Sequence, residues 1–189
     1  FLNWITLSHE VSHGYYVRIE FEVLESDYIE EILPTLHKKY LDHNVASYDL
    51  LRKDTIFELF AHWFDYKHFF NSNLNFYIWS IWRTYLDIPR VHQHKLEYWT
   101  RSLFVRIAHF WSSLSPKMKR IYHSVNKGKD RKQLYIDLFK PELITMHSFL
   151  QECYGVHLKV VSLNDEEMND VVEMVLPYYD LCRVFGKII

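Results

Sequence analysis

Asp54-Thr55-Ile56-Phe57-Glu58-Leu59-Phe60-Ala61-His62-Trp63-Phe64-Asp65-Tyr66-Lys67-His68-Phe69-Phe70 contains no glycine and no proline. An uninterrupted stretch of this kind reads as a helix, and Asn71-Ser72-Asn73 reads as its end. On that helix Glu58, His62 and Asp65 stand at i, i+4 and i+7, so they share one face. The same character extends to the whole chain. Its 189 residues include four glycines and five prolines, with 17% aromatic residues. Few breakers and many bulky side chains favour long helices over a turn-rich β fold. The expected fold is mainly α, with at most a small β-sheet.

Working outward from this stretch, Leu2 to His13 reads as a helix with Gly14 as its stop, and Ile5, Leu7 and Val11 are expected toward the core. Residues 15–23 alternate apolar and polar, which favours a strand or extended segment over a continued helix. Asp27 to about Tyr40 reads as a helix despite Pro34, and Asp42 to Asp49 as a loop. Further helices are expected over Leu74 to Leu86 and His92 to Leu114, and Ser115-Pro116 starts the next one because proline suits a first turn. Gln133 to Phe139 and Glu142 to Cys153 read as two helices, and Val156 to Leu163 as a short strand. Asn164 or Asp165 caps a last helix through about Phe185. The length suits one domain, 1–189, with metal-binding helices in 1–70 and a helical remainder in 71–189.

The net charge is −2, with no block of like charges. This gives no basic footprint for nucleic acid. Lys117-Met118-Lys119-Arg120 and the segment 127–132 are locally basic and read as solvated helix and loop surface rather than a phosphate-binding patch. Two cysteines, Cys153 and Cys182, could pair but make no framework, which points to a reduced, intracellular setting. No stretch reaches the length of apolar residues that a membrane span needs. The greasiest run, Phe76 to Trp82, stops at Arg83.

The stretch that carries chemistry is His9-Glu10-Val11-Ser12-His13. Histidines four apart on a helix face the same way and can bind one Zn²⁺ from the same side. Glu10, beside His9, is then placed to take a proton from water activated by the metal and to deliver it to a leaving group. The alternative is two ordinary histidines on a helix surface. A zinc site of this kind needs a third protein ligand. A glycine three residues and a histidine six residues after His13 would supply one arrangement, but Tyr16 and Ile19 stand there. The remaining choice is a carboxylate from another helix, for which Glu58 is the best candidate.

A metal-binding helix followed by a second one carrying Glu58-Leu59-Phe60-Ala61-His62-Trp63-Phe64 resembles the gluzincin peptidases, most of all the small intracellular ImmA/IrrE group. The resemblance covers about residues 1 to 70. It implies a zincin-like helical domain, with His9, His13 and Glu58 as zinc ligands and Glu10 as general base. It also implies that Ala61 lets the two helices approach closely, that the substrate is a peptide or protein, and that the location is cytoplasmic. His62 stands where that group often has asparagine, and the gap from His13 to Glu58 is longer than is usual there.

Several residues compete for supporting roles. His62, Asp65 or Asp54 could take the place of Glu58 at the metal, and Asp65 or Asp54 could instead orient a ligating histidine through its second nitrogen. His62 could also stabilise an oxyanion, with Tyr66, Tyr15 and Tyr16 as rival donors. Each of these reads equally well as packing or solvated charge. His92-Gln93-His94 reads as an exposed helix start, and His109 as a hydrogen-bonded core histidine. The aromatic residues from Phe57 to Tyr85 are too many for one helix face and read mainly as core. The competing functional class is a non-catalytic, protein-binding helical module whose zinc site is structural or a relic. A hydrolase acting on some other amide bond is a third reading.

Overall fold

The computed structural model describes residues 6–14, 53–87, 95–129, 131–155, 161–179 and 182–183. The expected strand over 15–23, the helix from Asp27, the loop from Asp42 and the segment His92 to His94 lie outside them. Helix α1 covers residues 6–14. It is followed by α2 (Lys53–His68), α3 (Leu74–Asp87), α4 (Lys95–Ser113), α5 (Pro116–Val125), α6 (Arg131–Tyr154) and α7 (Asp165–Val175), then a 3-10 turn over Leu176–Tyr178. The protein is mainly α, and the described residues contain no strand. The chain divides into two compact units, Phe1–Ser72 and Asn73–Ile189.

In the second unit α4 is central and packs against α3, α6 and α7, while α6 also packs against α7. Its buried face carries Trp99, Leu103, Phe104, Ile107 and Ala108, spaced three and four residues apart so that one side of the helix is apolar. Trp82 of α3 lies with its ring centroid 4.9 Å from that of Trp99. The Trp99 indole donates to the Val161 carbonyl at 2.7 Å. A bulky aromatic is therefore buried with its polar atom satisfied.

Local chemistry ends the helices where the residue types suggest. Ser115 caps α5 by accepting from the Met118 amide, with Pro116 in the first turn. Asn164 and Glu167 form a reciprocal capping box at the start of α7. After α2, Asn71 and Ser72 both adopt positive φ, 49° and 58°, and the Ser72 amide donates back to the Tyr66 carbonyl. Asparagine tolerates this left-handed region better than most residues. Asn73 then caps α3 by accepting from the Phe76 amide.

Three expectations are corrected here. The two helices expected either side of Lys140-Pro141 are one continuous helix, α6, with Pro141 inside it. Phe139, Leu143, Met146 and Leu150 form one buried stripe across the proline. Pro141 and Asp137, whose carbonyl loses its helical partner, are exposed, so water can satisfy that carbonyl while packing holds both halves in line. Pro141→Ala is expected to raise the unfolding free energy by about 1–3 kcal/mol, as the missing bond and the ring clash are removed, measured by urea titration.

The helix expected to run to about Phe185 is interrupted after Val175 by the 3-10 turn at Pro177, which has no N–H to continue an α-helix; residues 179 and 182–183 are helical again. Of the expected strand from Val156, residues 161–163 form no strand, and 156–160 lie outside the described residues. The two cysteines do not pair, Cys153 being exposed and Cys182 buried.

His147 on α6 lies half-buried, with its ring stacked on Trp99. Its Nε2 is buried without a hydrogen-bond partner, and burial pushes the imidazole below its ordinary value of 6.5. The folded chain thus binds this proton less readily than the unfolded chain does. Stability from neutral His147 is present above the ordinary histidine value and falls as the pH drops through it; the decline ends once the lower folded-state value is passed. The urea midpoint should therefore drop between about pH 7.5 and 5.5, and less so in His147→Phe.

Candidate metal centre

The first unit brings α1 against α2 through small and polar residues. Ser8 and Ser12, one turn apart on α1, are buried, as is Ala61 on α2. The Ser8 hydroxyl hydrogen-bonds the Asp65 carboxyl across the two helices, and the Ser12 hydroxyl donates to the Ser8 carbonyl at 2.8 Å. Beside these buried small side chains, His9 and His13 of α1 reach Glu58 of α2. The expectation that Leu7 and Val11 face the core is overturned, since they are 55% and 39% exposed. The α1 face that meets α2 is the serine and histidine side, and Leu7 and Val11 lie on the neighbouring stripe. Ile5 lies outside the described residues.

His9, His13 and Glu58 converge from the two helices. His9 Nε2 lies 3.2 Å from Glu58 Oε2, and His13 Nε2 lies 3.3 Å from Glu58 Oε1. The His9 and His13 rings meet edge-on, with centroids 4.6 Å apart. Each of the three residues offers a ligand atom, and all three atoms lie within 4.8 Å of one another. All three side chains are partly accessible.

These distances are long for a charge-assisted N–H···O bond, which is about 2.7–2.9 Å. Two ligand atoms held about 2.1 Å from one tetrahedral zinc stand about 3.4 Å apart, close to each of these two separations, which run to different oxygens of Glu58 and are also within hydrogen-bond reach. Two imidazoles and a carboxylate are also a donor set that zinc accepts. The residues present therefore fit a zinc ion.

The other candidates separate. His62 is buried, with its ring centroid 4.5 Å from that of His9, yet it does not join the three-residue ligand group. Asp65 is likewise outside that group. It is buried, and burial lifts its carboxyl to about 6, against the lowering effects of the Ser8 hydroxyl bond and the nearby His9 charge. Its hydrogen-bond partner across the helices is Ser8. Tyr66 is buried and donates its hydroxyl to the Ser72 carbonyl at 3.1 Å, so it serves the end of α2. Glu10 is exposed on α1. Tyr15, Tyr16 and the Asp54 side chain lie outside the described residues.

The aromatic residues sort by face. Phe60, Trp63, Phe70 and Trp82 are buried, Phe64 and Trp79 are half-buried, and Phe69 is exposed. Ser8 and Ser12 are the neighbours of the histidine pair that reading the motif alone passes over, two small residues four apart, each directly before a histidine. Comparison with known protein families, curated proteins and solved structures finds no match to this chain.

Proposed function

We propose that the chain is a zinc-dependent peptidase of gluzincin type, with His9, His13 and Glu58 holding the metal and Glu10 as general base. The observation that carries this reading is the convergence of two histidine nitrogens and one carboxylate from separate helices at the spacing of a zinc coordination edge. Zinc in such a site makes water a nucleophile near neutral pH and polarises a carbonyl. Glu10 is exposed and adjacent to a ligand, so its carboxylate is free to collect a proton from water and return it to the leaving amine. The buried His62, packed on His9, is placed to donate to the oxygen on which negative charge develops. Ser8 and Asp65 position His9 by tying α1 to α2.

Support for catalysis over a purely structural metal comes from the donor count. Structural zinc sites are closed by four protein ligands, whereas catalytic ones keep a position open. Among the described residues three ligand atoms converge, and neither His62 nor Asp65 adds a fourth. Two cysteines that form no disulfide support a reducing, cytoplasmic setting, and no described helix is long and apolar enough to cross a membrane.

Elemental mass spectrometry of the purified chain is the direct test. About one zinc per chain is expected, and His13→Ala, which removes one of three protein ligands, should lose it. A chain that stays metal-free after zinc is added back would sink the proposal.

A further inference from the structure

Helix α5 differs from every other helix of the second unit. None of its residues is buried, yet Met118, Ile121 and Val125 are 49%, 44% and 66% exposed. At positions i, i+3 and i+7 they form one apolar stripe. Tyr122 marks the side that faces the protein, since its ring packs edge-on against Trp111 with centroids 5.2 Å apart. The stripe lies beside that side, about 40–100° round the helix from Tyr122, and its three side chains are exposed.

Charge surrounds it. Residues 116–129 contain Lys117, Lys119, Arg120, Lys127 and Lys129 and no acidic residue, in a chain whose net charge is −2. Three other cations of this unit have acidic partners: Lys95 pairs with Glu167, Arg101 with Glu97 and Arg106 with Glu142. The five around α5 form no ion pair among the described residues. On a helical projection Lys117 borders the stripe on one side with Arg120 further round, and Lys119 lies beyond Tyr122 on the other.

We propose that α5 is a docking surface for an anionic lipid bilayer, on which it lies flat with Met118, Ile121 and Val125 entering the headgroup–acyl boundary. Charge complementarity selects this occupant. An apolar stripe bordered by cations that form no ion pair among the described residues is what an interfacial helix needs, with side chains inserted and cations at lipid phosphates. A nucleic acid would neutralise the cations but leave three apolar side chains in water. The ring nearest the stripe, Tyr122, is packed on Trp111 rather than offered to a base for stacking. This inference is independent of the metal site, and it concerns attachment to a surface, not a span.

The test is flotation of the intact chain with vesicles of phosphatidylcholine, alone or with about a third phosphatidylserine. Binding is expected to the anionic vesicles only, and to weaken as salt is raised from about 0.1 to 0.5 M. At about fivefold per cation, Lys117→Gln with Arg120→Gln should reduce partitioning about 20-fold or more. Ile121→Asp with Val125→Asp should reduce it by roughly tenfold or more, because the inserted area is lost. All four positions are exposed, and circular dichroism matching the parent shows that the fold is kept. The charge variant carries the test alone should the apolar variant unfold. Absence of flotation with anionic vesicles would overturn the proposal, as would parental binding by both variants. So would tight binding to a single-stranded homopolymer RNA that Ile121→Asp with Val125→Asp leaves unchanged.

Discussion

Glu10→Gln is expected to keep about one zinc per chain and to lose peptide hydrolysis by about 10²–10⁴-fold, the usual contribution of a positioned general base. Glutamine preserves the size and hydrogen-bonding reach of the side chain but cannot accept a proton. Glu10 is exposed and stands outside the ligand group, so the substitution should leave both metal binding and folding intact. The expected loss lies in kcat rather than KM, because the proton transfer belongs to the transition state. The measurement pairs kinetics on a quenched-fluorescence peptide library with metal content on the same samples. Unchanged turnover with zinc present would remove Glu10 from the mechanism. His13→Ala makes the contrast, since it should lose zinc and activity together.

Trp99→Ala is expected to be the most damaging single change in the second unit, at about 3–5 kcal/mol for truncating a buried large aromatic. Trp99 is fully buried and packs on Trp82 and His147. It also donates to Val161 at 2.7 Å, so truncation leaves a cavity and an acceptor without its donor. Against a typical domain stability of about 5–15 kcal/mol, this is a large share of the total. Urea unfolding followed by circular dichroism measures it. Trp99→Phe should cost less, because it retains part of the ring packing and loses the hydrogen bond. A loss below about 1 kcal/mol for Trp99→Ala would mean that α4 is not the centre of this core.

Much of the helical layout is legible because it is decided within a turn or two of chain. Ser115-Pro116 and Asn164 with Glu167 start helices through bonds between residues three apart. Asn71-Ser72-Asn73 ends one helix and starts the next without a glycine. Where packing competes with local preference, the reading fails. A proline in α6 looks like a boundary, but a buried stripe running from Phe139 to Leu150 overrides it. Pro177 interrupts a helix expected to continue, because its missing N–H gives a 3-10 turn there before helical residues resume.

The face of α1 could not be read from hydrophobicity. Leu7 and Val11 are its most apolar described residues, yet Ser8 and Ser12 are the buried ones. The close approach of α2 and the hydrogen bond from Ser8 to Asp65 decide which side turns inward.

The sequence by itself determined that the chain is mainly helical, and that His9 and His13 stand one turn apart on one face. Both follow from the 3.6-residue period and from a scarcity of breakers. Only the tertiary structure decided that Glu58, 49 residues from His9 in the chain, meets both imidazoles while His62 and Asp65 stay outside the group. Glu58, His62 and Asp65 share a face of α2, so helical periodicity cannot rank them. What ranks them is how far along α2 the second helix crosses, and small side chains packed between helices distant in sequence set that crossing.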